Sequence, residues 1–352
     1  MTAEALHALL CRLCAVERGG FEPPAVADAD GEALVRLAAA QGVGGWLAGR
    51  LADGYADWGP TPRLLRLLRP HALATLSRNA VCIGVAWRVA RLLRGHGVEC
   101  VALKGVALVG TVYPDAATRA IGDVDILVPG PEVRLAREIL VADGAVEGPP
   151  PRRPAVVDSW RDHLEGLTYR GVDVELHHKL SPRDGGASFL GDVAQCVESG
   201  EMVDTLSPEA HFCYLCAHAR KHWLRGQSSL KWMLDLAVML AARDDAAAFV
   251  RGCLALAPSL AREVRWAVSV AAPLVPERGR AVLRSGGFVL RQAVHAGGGW
   301  RVRLSAVPAA AADAAGLLAH AWSEGDGALG GWRNVGQAVR HAFVRKQKIK
   351  HR

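Results

Sequence analysis

No uninterrupted apolar run in the 352 residues approaches the ~18–20 needed to cross a bilayer as a helix. No basic segment precedes the first apolar residues, and Glu4 stands where a signal peptide would be positive. The expectation is therefore a cytoplasmic protein with no membrane partner. Charged residues make up only 22% against 51% hydrophobic, which excludes a chain kept unfolded by its own charge. Aromatics are scarce at 6%, and no block of Lys and Arg is interleaved with them. A dedicated nucleic-acid-binding stripe is thus missing, although the net charge of +7 keeps RNA as a disfavoured partner. No repeat of fixed period appears, which sets aside solenoids and propellers. The glycine-rich patches after residue 280 lie outside any strand–helix context and carry no phosphate-binding signal.

What is present is helix-forming material in abundance: alanine, leucine and arginine. The net positive charge suits an anionic substrate such as a nucleotide, or simply solvated arginine-rich helix faces. Two of the eight cysteines form Cys11-x-x-Cys14 and two form Cys213-x-x-Cys216. Four thiolates could close a zinc site, but both pairs sit in helix-period apolar settings, where Cys acts as a small buried hydrophobe. The dense basic run Arg345 to Arg352 reads as a frayed end.

Apolar periodicity predicts helices through residues 1–97, the longest from Arg63 to Arg94, which Gly95-His96-Gly97 stops. Residues 98–182 read as a small α/β core. It opens with the strand Val98 to Leu103 and a short helix at 106–112. An alternating strand Ile121 to Val128 follows, then a helix to about Asp143, then a Pro/Arg-rich loop over 148–154. The core closes with a hairpin of 164–169 and 172–177 around Arg170-Gly171. Residues 183–352 are expected to be helical to the end, with one start at Ser207-Pro208-Glu209. The fold class is thus α+β, a small mixed sheet between N-terminal and C-terminal helical regions.

The chemistry-bearing residues cluster between Lys104 and His177. Asp123 and Asp125, at i and i+2 of a strand, project to one side about 6–7 Å apart at Cα. Transfer from a triphosphate needs a divalent metal to hold phosphates and neutralise charge, and magnesium wants hard carboxylate oxygens. A third carboxylate from a neighbouring strand completes such a site, and Glu175 fits, with Asp173 as the competitor nearer the hairpin turn. A lone Asp-x-Asp is weak, since surface strands often alternate acids with apolar residues.

Leu103-Lys104-Gly105, then Tyr113-Pro114 and Arg119, then Asp123-Val-Asp125-Ile-Leu-Val, then Val174-Glu175-Leu176-His177 occur in that order. Together they resemble the bacterial uncharacterised nucleotidyltransferase family of the polymerase-β-like superfamily. Ala217-His218-Ala-Arg-Lys221-His222 and Lys231-Trp-Met-Leu-Asp235-Leu resemble that family's helical segment. The resemblance implies a nucleotidyltransferase core that moves NMP from an NTP such as ATP to a small-molecule, peptide or protein acceptor. It implies Mg²⁺ or Mn²⁺ held by Asp123, Asp125 and Glu175, which are also the catalytic acids. The superfamily usually places Gly-Ser after the first strand. Here Lys104-Gly105 stands instead, with Lys104 as the candidate phosphate contact.

Arg119 either binds phosphate or pairs with Asp123 or Asp125. His177 either touches the nucleotide or hydrogen-bonds the acids beside it. His218 and His222, one helical turn apart, could line the substrate wall with Lys221 or simply pack. Asp235, in an apolar helix, needs a partner such as Arg220, Lys221 or His222. Asp173 and Asp235 complete the candidate substrate wall. Kinase-type phosphoryl transfer, RNA modification and a non-catalytic nucleotide- or partner-binding module are the competing functions.

Overall fold

The computed structural model describes residues 1–17, 21–113, 115–148, 164, 166–180, 197–198, 203–227, 229–277, 279, 282, 293–296 and 299–302. The loop expected over 148–154, beyond its first residue, and the basic run at Arg345 to Arg352 lie outside the described residues.

Four helices open the chain: α1 (Ala3–Cys14), α2 (Asp28–Ala40), α3 (Gly44–Gly54) and α4 (Thr61–Gly95). The Thr2 hydroxyl accepts from the Ala5 amide and starts α1. Leu9, Leu10 and Leu13 turn inward, as their helical spacing predicts. The turn between α2 and α3 takes a positive φ of 68° at Gly42, a conformation glycine adopts without steric cost. The 35 residues of α4 reach about 52 Å at 1.5 Å per residue. Its first turns bury Leu64 and Leu68 with the N-terminal helices. Beyond Pro70 it buries Cys82, Val85, Ala86, Val89, Ala90 and Leu93 against a sheet. One helix therefore belongs to two cores.

The sheet has seven strands in the order β3-β4-β5-β2-β1-β7-β6. These are β1 (Val101–Ala102), β2 (Val124–Leu127), β3 (Val146–Glu147), β4 (Leu167–Tyr169), β5 (Val172–His177), β6 (Val197–Glu198) and β7 (Asp204–Leu206). It is mixed: β2 runs parallel to β5 and β1 parallel to β7, while the other pairs are antiparallel. The hairpin β4–β5 turns through Arg170 and Gly171, both at positive φ (53° and 75°), the backbone that suits the twist of a two-residue loop. Helix α5 (Lys104–Thr111) follows β1, and α6 (Val133–Ala142) follows β2.

Alternation divides the sheet chemically. Val124, Ile126, Val172, Val174 and Leu176 pack on α4 and α6 with Leu167 and Tyr169. Asp125, Leu127, Glu175 and His177 occupy the opposite face. There Leu127 joins the larger core built with α7 (Pro208–Leu224) and α8 (Leu230–Ala241). Helices α9 (Ala246–Leu256) and α10 (Ala261–Ala271) close that core. The architecture is the expected α+β, with helices before and after the sheet. The stretch after Pro182 differs from expectation, because it supplies β6 and β7 before its helices. A separate two-stranded ribbon, β8 (Ala293–Ala296) with β9 (Gly299–Val302), follows them. Strands of two to four residues carry too little periodicity to separate from helix by pattern. No helix among the described residues is long and apolar enough to cross a membrane.

The segment from Asp115 to Asp123 is irregular, so its backbone groups need partners outside a ladder. Asn79 of α4, fully buried, supplies them. Its amide nitrogen donates to the carbonyls of Ala116 (2.5 Å) and Arg119 (2.7 Å), and its oxygen accepts from the Ile121 amide (2.8 Å). Arg78 donates to the Gly122 carbonyl at 2.8 Å. On the other side α3 comes so close that a Cβ at Gly45 would collide with the Ala117 carbonyl.

Asn79→Ala should lower the unfolding free energy by about 2–3 kcal/mol, since it strands three buried backbone groups; a urea titration that places it within 0.5 kcal/mol (roughly the scatter of surface substitutions) of wild type would contradict this account. His211 is buried, and burial pushes its imidazole down from 6.5 to about 4. The unfolded chain therefore binds this proton first, and stability is lost as pH falls from 6.5 toward 4. His211→Gln should abolish about 3 kcal/mol of that loss, read as a shallower stability–pH slope in denaturant titrations.

Candidate functional site

The turn from β1 into α5 carries Lys104 at a positive φ of 48°, an uncommon conformation for a residue with a side chain and one often held at functional sites. Lys104 thereby reaches across the sheet. Its ammonium lies 2.5 Å from Asp125 Oδ1 and 3.9 Å from Glu175 Oε2. The parallel pairing of β2 and β5 sets Asp125 directly beside Glu175. His177, two residues on, sends Nε2 to Asp125 Oδ1 at 2.9 Å and lies 3.5 Å from Glu175 Oε2.

Electrostatics follow from this packing. Burial opposes the charge on Asp125, but the Lys104 ammonium and the His177 hydrogen bond outweigh it, holding the carboxyl well below the usual range. Burial likewise opposes the charge on Lys104 and on His177. For Lys104, Tyr214 and the two acids overcome it; for His177, hydrogen bonds to Asp125 and Glu175 do so, and both pKa values rise. Among the described residues Asp123 makes no hydrogen bond or ion pair, and burial with the nearby Asp125 charge raises it.

The second Asp125 oxygen, Oδ2, is buried with no hydrogen-bond partner among the described residues. Asp125, Glu175 and His177 each offer a ligand atom, all within 4.8 Å of one another. An unsatisfied buried carboxylate oxygen is costly unless a cation or donor completes it. This donor set, two carboxylates and an imidazole, fits a divalent cation. It takes His177 where the sequence pattern suggested Asp123. Asp123 sits just ahead of β2 and lines the cleft outside that group. Between the two competing acids of β5, Glu175 joins Asp125, while the exposed Asp173 accepts from Thr168 Oγ1 at 3.3 Å.

Lys104, Asp123, Asp173, Glu175 and His177 line a cleft of about 450 Å³, while Asp125 is buried behind Lys104, Glu175 and His177, which contact or adjoin it. Its walls include Gly105, Arg119, His218, Lys221, His222, Arg225, Lys231 and Trp232. His218 and His222 stack at 4.5 Å between ring centres, and Trp232 lies 4.8 Å from His222 and 5.6 Å from His218. Burial keeps both imidazoles below their usual pKa, so the wall is aromatic and neutral. Trp232, Lys231 and Arg225 did not emerge from the sequence as site residues. The signal was the Lys231-Trp-Met-Leu-Asp235 run, in which only Asp235 drew attention.

Arg119 and Asp235 meet each other and neither of the partners suggested by sequence. Arg119 Nε and Nη2 donate to the two Asp235 oxygens at 3.1 and 2.7 Å, and Tyr113 OH donates to Oδ1 at 2.8 Å. Expected partners of Arg119 were Asp123 or Asp125, and those of Asp235 were Arg220, Lys221 or His222. Both expectations used sequence neighbours, whereas the real pair is 116 residues apart. Gly105 is small for the same reason, since a Cβ there would collide with Arg119 Nη1.

A family model described as uncharacterised nucleotidyltransferase matches residues 27–272. No curated protein matches the chain.

Removing either partner of the buried pair leaves an uncompensated charge, a loss of about 3–5 kcal/mol. Arg119→Met and Asp235→Leu should each show it, and the double variant should lose far less than the sum. Additive losses in a double-mutant denaturation cycle would contradict the pairing.

Proposed function

The chain belongs to the uncharacterised nucleotidyltransferase family, and on that premise we propose that it transfers NMP from an NTP, with Mg²⁺ or Mn²⁺, to an acceptor hydroxyl. The observation that carries this reading is the buried Asp125 Oδ2, without a hydrogen-bond partner among the described residues, beside Glu175, which lines the cleft. Asp125 and Glu175 would hold the cation, with His177 as the third ligand and Asp123 at the rim facing the same space. Bound there, a divalent ion would neutralise triphosphate charge and acidify the attacking hydroxyl.

The chain's own groups do the rest. Lys104 keeps Asp125 ionised and places one positive charge at the phosphate end. Gly105 leaves the floor open beside Arg119. The cleft volume lies within the range of small-molecule sites. Its neutral wall of His218, His222 and Trp232 offers flat faces on which a base can stack. An acceptor oxygen forms the bond to the α-phosphorus as the α–β phosphoanhydride breaks. Pyrophosphate departs with the bonding pair, and the acceptor's proton passes to Glu175, the only partly buried carboxylate of the pair.

Incubation with α-labelled NTP, Mg²⁺ and a cell extract should label an acceptor and release pyrophosphate. Label transferred from the γ position with NDP as product would establish the kinase-type alternative instead. Asp125→Asn should cut transfer at least about a hundredfold, as expected for loss of several kcal/mol of metal-assisted stabilisation, with an unchanged circular dichroism spectrum. Full activity in that variant would overturn the assignment.

A further inference from the structure

We propose that Lys231 is the polyphosphate-binding cation of the cleft, making the phosphate contact that Arg119 is not free to make. Arg119 spends Nε and Nη2 on Asp235 and Nη1 on the Ala120 carbonyl at 2.9 Å. Lys104 is committed to Asp125. Lys231 lines the same cleft, and among the described residues its ammonium makes no hydrogen bond or ion pair.

That placement is unfavourable twice over. Lys231 lies in the first turn of α8, where the positive end of the helix dipole disfavours a further cation. It is also partly buried, and burial lowers its pKa, helped by the Arg119 charge. The carboxylates of Asp235, Asp123 and Asp125 reach it only as longer-range fields. Asp235 is already neutralised by Arg119, and Asp123 and Asp125 face the proposed cation. Among the described residues no hydrogen bond or ion pair offsets the cost, and a bound anion does.

The lysine is also aimed. Its stem packs on the turn between α2 and α3, where a Cβ at Gly42 would come within 3.3 Å of Lys231 Cδ. That turn is tied to the start of α8, for Leu230 N donates to Gln41 Oε1 at 2.9 Å and Ser229 Oγ to the Gln41 carbonyl at 3.2 Å. The N-terminal helices thus hold the stem so that the ammonium projects into the cleft. A point charge with rotatable donors suits phosphate oxygens that change position as pyrophosphate leaves.

The inference rests on the nucleotidyl-transfer reading for the identity of the ligand, and the test separates the two. Full-length wild type, Lys231→Met and Lys231→Arg are titrated calorimetrically with inorganic tripolyphosphate, NTP, NDP and NMP in Ca²⁺. Lys231→Met should bind tripolyphosphate and NTP at least about tenfold more weakly, as for loss of a charged hydrogen bond. It should also lose the preference for NTP over NMP, and Lys231→Arg should recover most of both. A merely structural lysine would not change that preference selectively. Equal NTP and tripolyphosphate affinity in folded Lys231→Met overturns the proposal and leaves the transfer reading standing. Lys231-dependent tripolyphosphate binding with no NTP binding supports the lysine and overturns the transfer reading. If Lys231→Met melts early, Lys231→Gln replaces it, judged by the same ratio of NTP to NMP affinity.

Discussion

The buried pair between Arg119 and Asp235 holds three distant pieces of chain in one arrangement. Taking two charges out of water costs several kcal/mol each, and only near-complete satisfaction offsets it. Here both Asp235 oxygens are bonded, Tyr113 adds a hydroxyl, and the third Arg119 nitrogen finds a carbonyl. The guanidinium lies against Gly105, so the Lys104 turn is packed from beneath. It leaves the segment that Asn79 grips and that leads into Asp123. It ends on α8, where Lys231 stands one turn ahead of Asp235. Floor, rim and wall of the cleft are thereby referred to a single contact.

Upon that frame the sheet places two acids side by side, which by themselves repel. The parallel register of β2 and β5 makes Asp125 and Glu175 neighbours, and Lys104 and His177 hold the Asp125 carboxyl well below the usual range. The cost appears in the backbone, where Lys104 takes a positive φ that glycine would adopt freely. A cation exchanged for that ammonium, or added beside it at Asp125 Oδ2, would find its ligands already assembled. Such preorganisation lets a site stabilise developing charge without first rearranging.

Much of this was legible in sequence because it is local. Alternation over 121–128 and 172–177 separates an apolar face from an acidic one, since side chains on a strand repeat every two residues. The order of Lys104-Gly105, Asp123-x-Asp125 and Glu175 pointed to the family. Asp125, Glu175 and His177 share the face that alternation assigned them. The strands β6 and β7 were invisible, being too short for any period to register. Trp232 was not legible as a wall residue, because an aromatic in an apolar helix is core unless a neighbouring surface recedes, and recession is a property of the folded whole.

The amino-acid sequence by itself determined the α+β class, the acids on one strand face and the family, because each depends on spacing along one segment. Only the tertiary structure decided what those residues meet. Arg119 finds Asp235 116 residues away, a partner other than the anticipated Asp123 or Asp125. His177 meets Asp125 and Glu175, so that the three offer ligand atoms within 4.8 Å of one another. Lys231, unremarkable in the sequence, lines the cleft without a hydrogen bond or ion pair among the described residues. The reason is common to all three: pairing energy depends on distance and burial, and neither is defined until the sheet and helices have closed around the site.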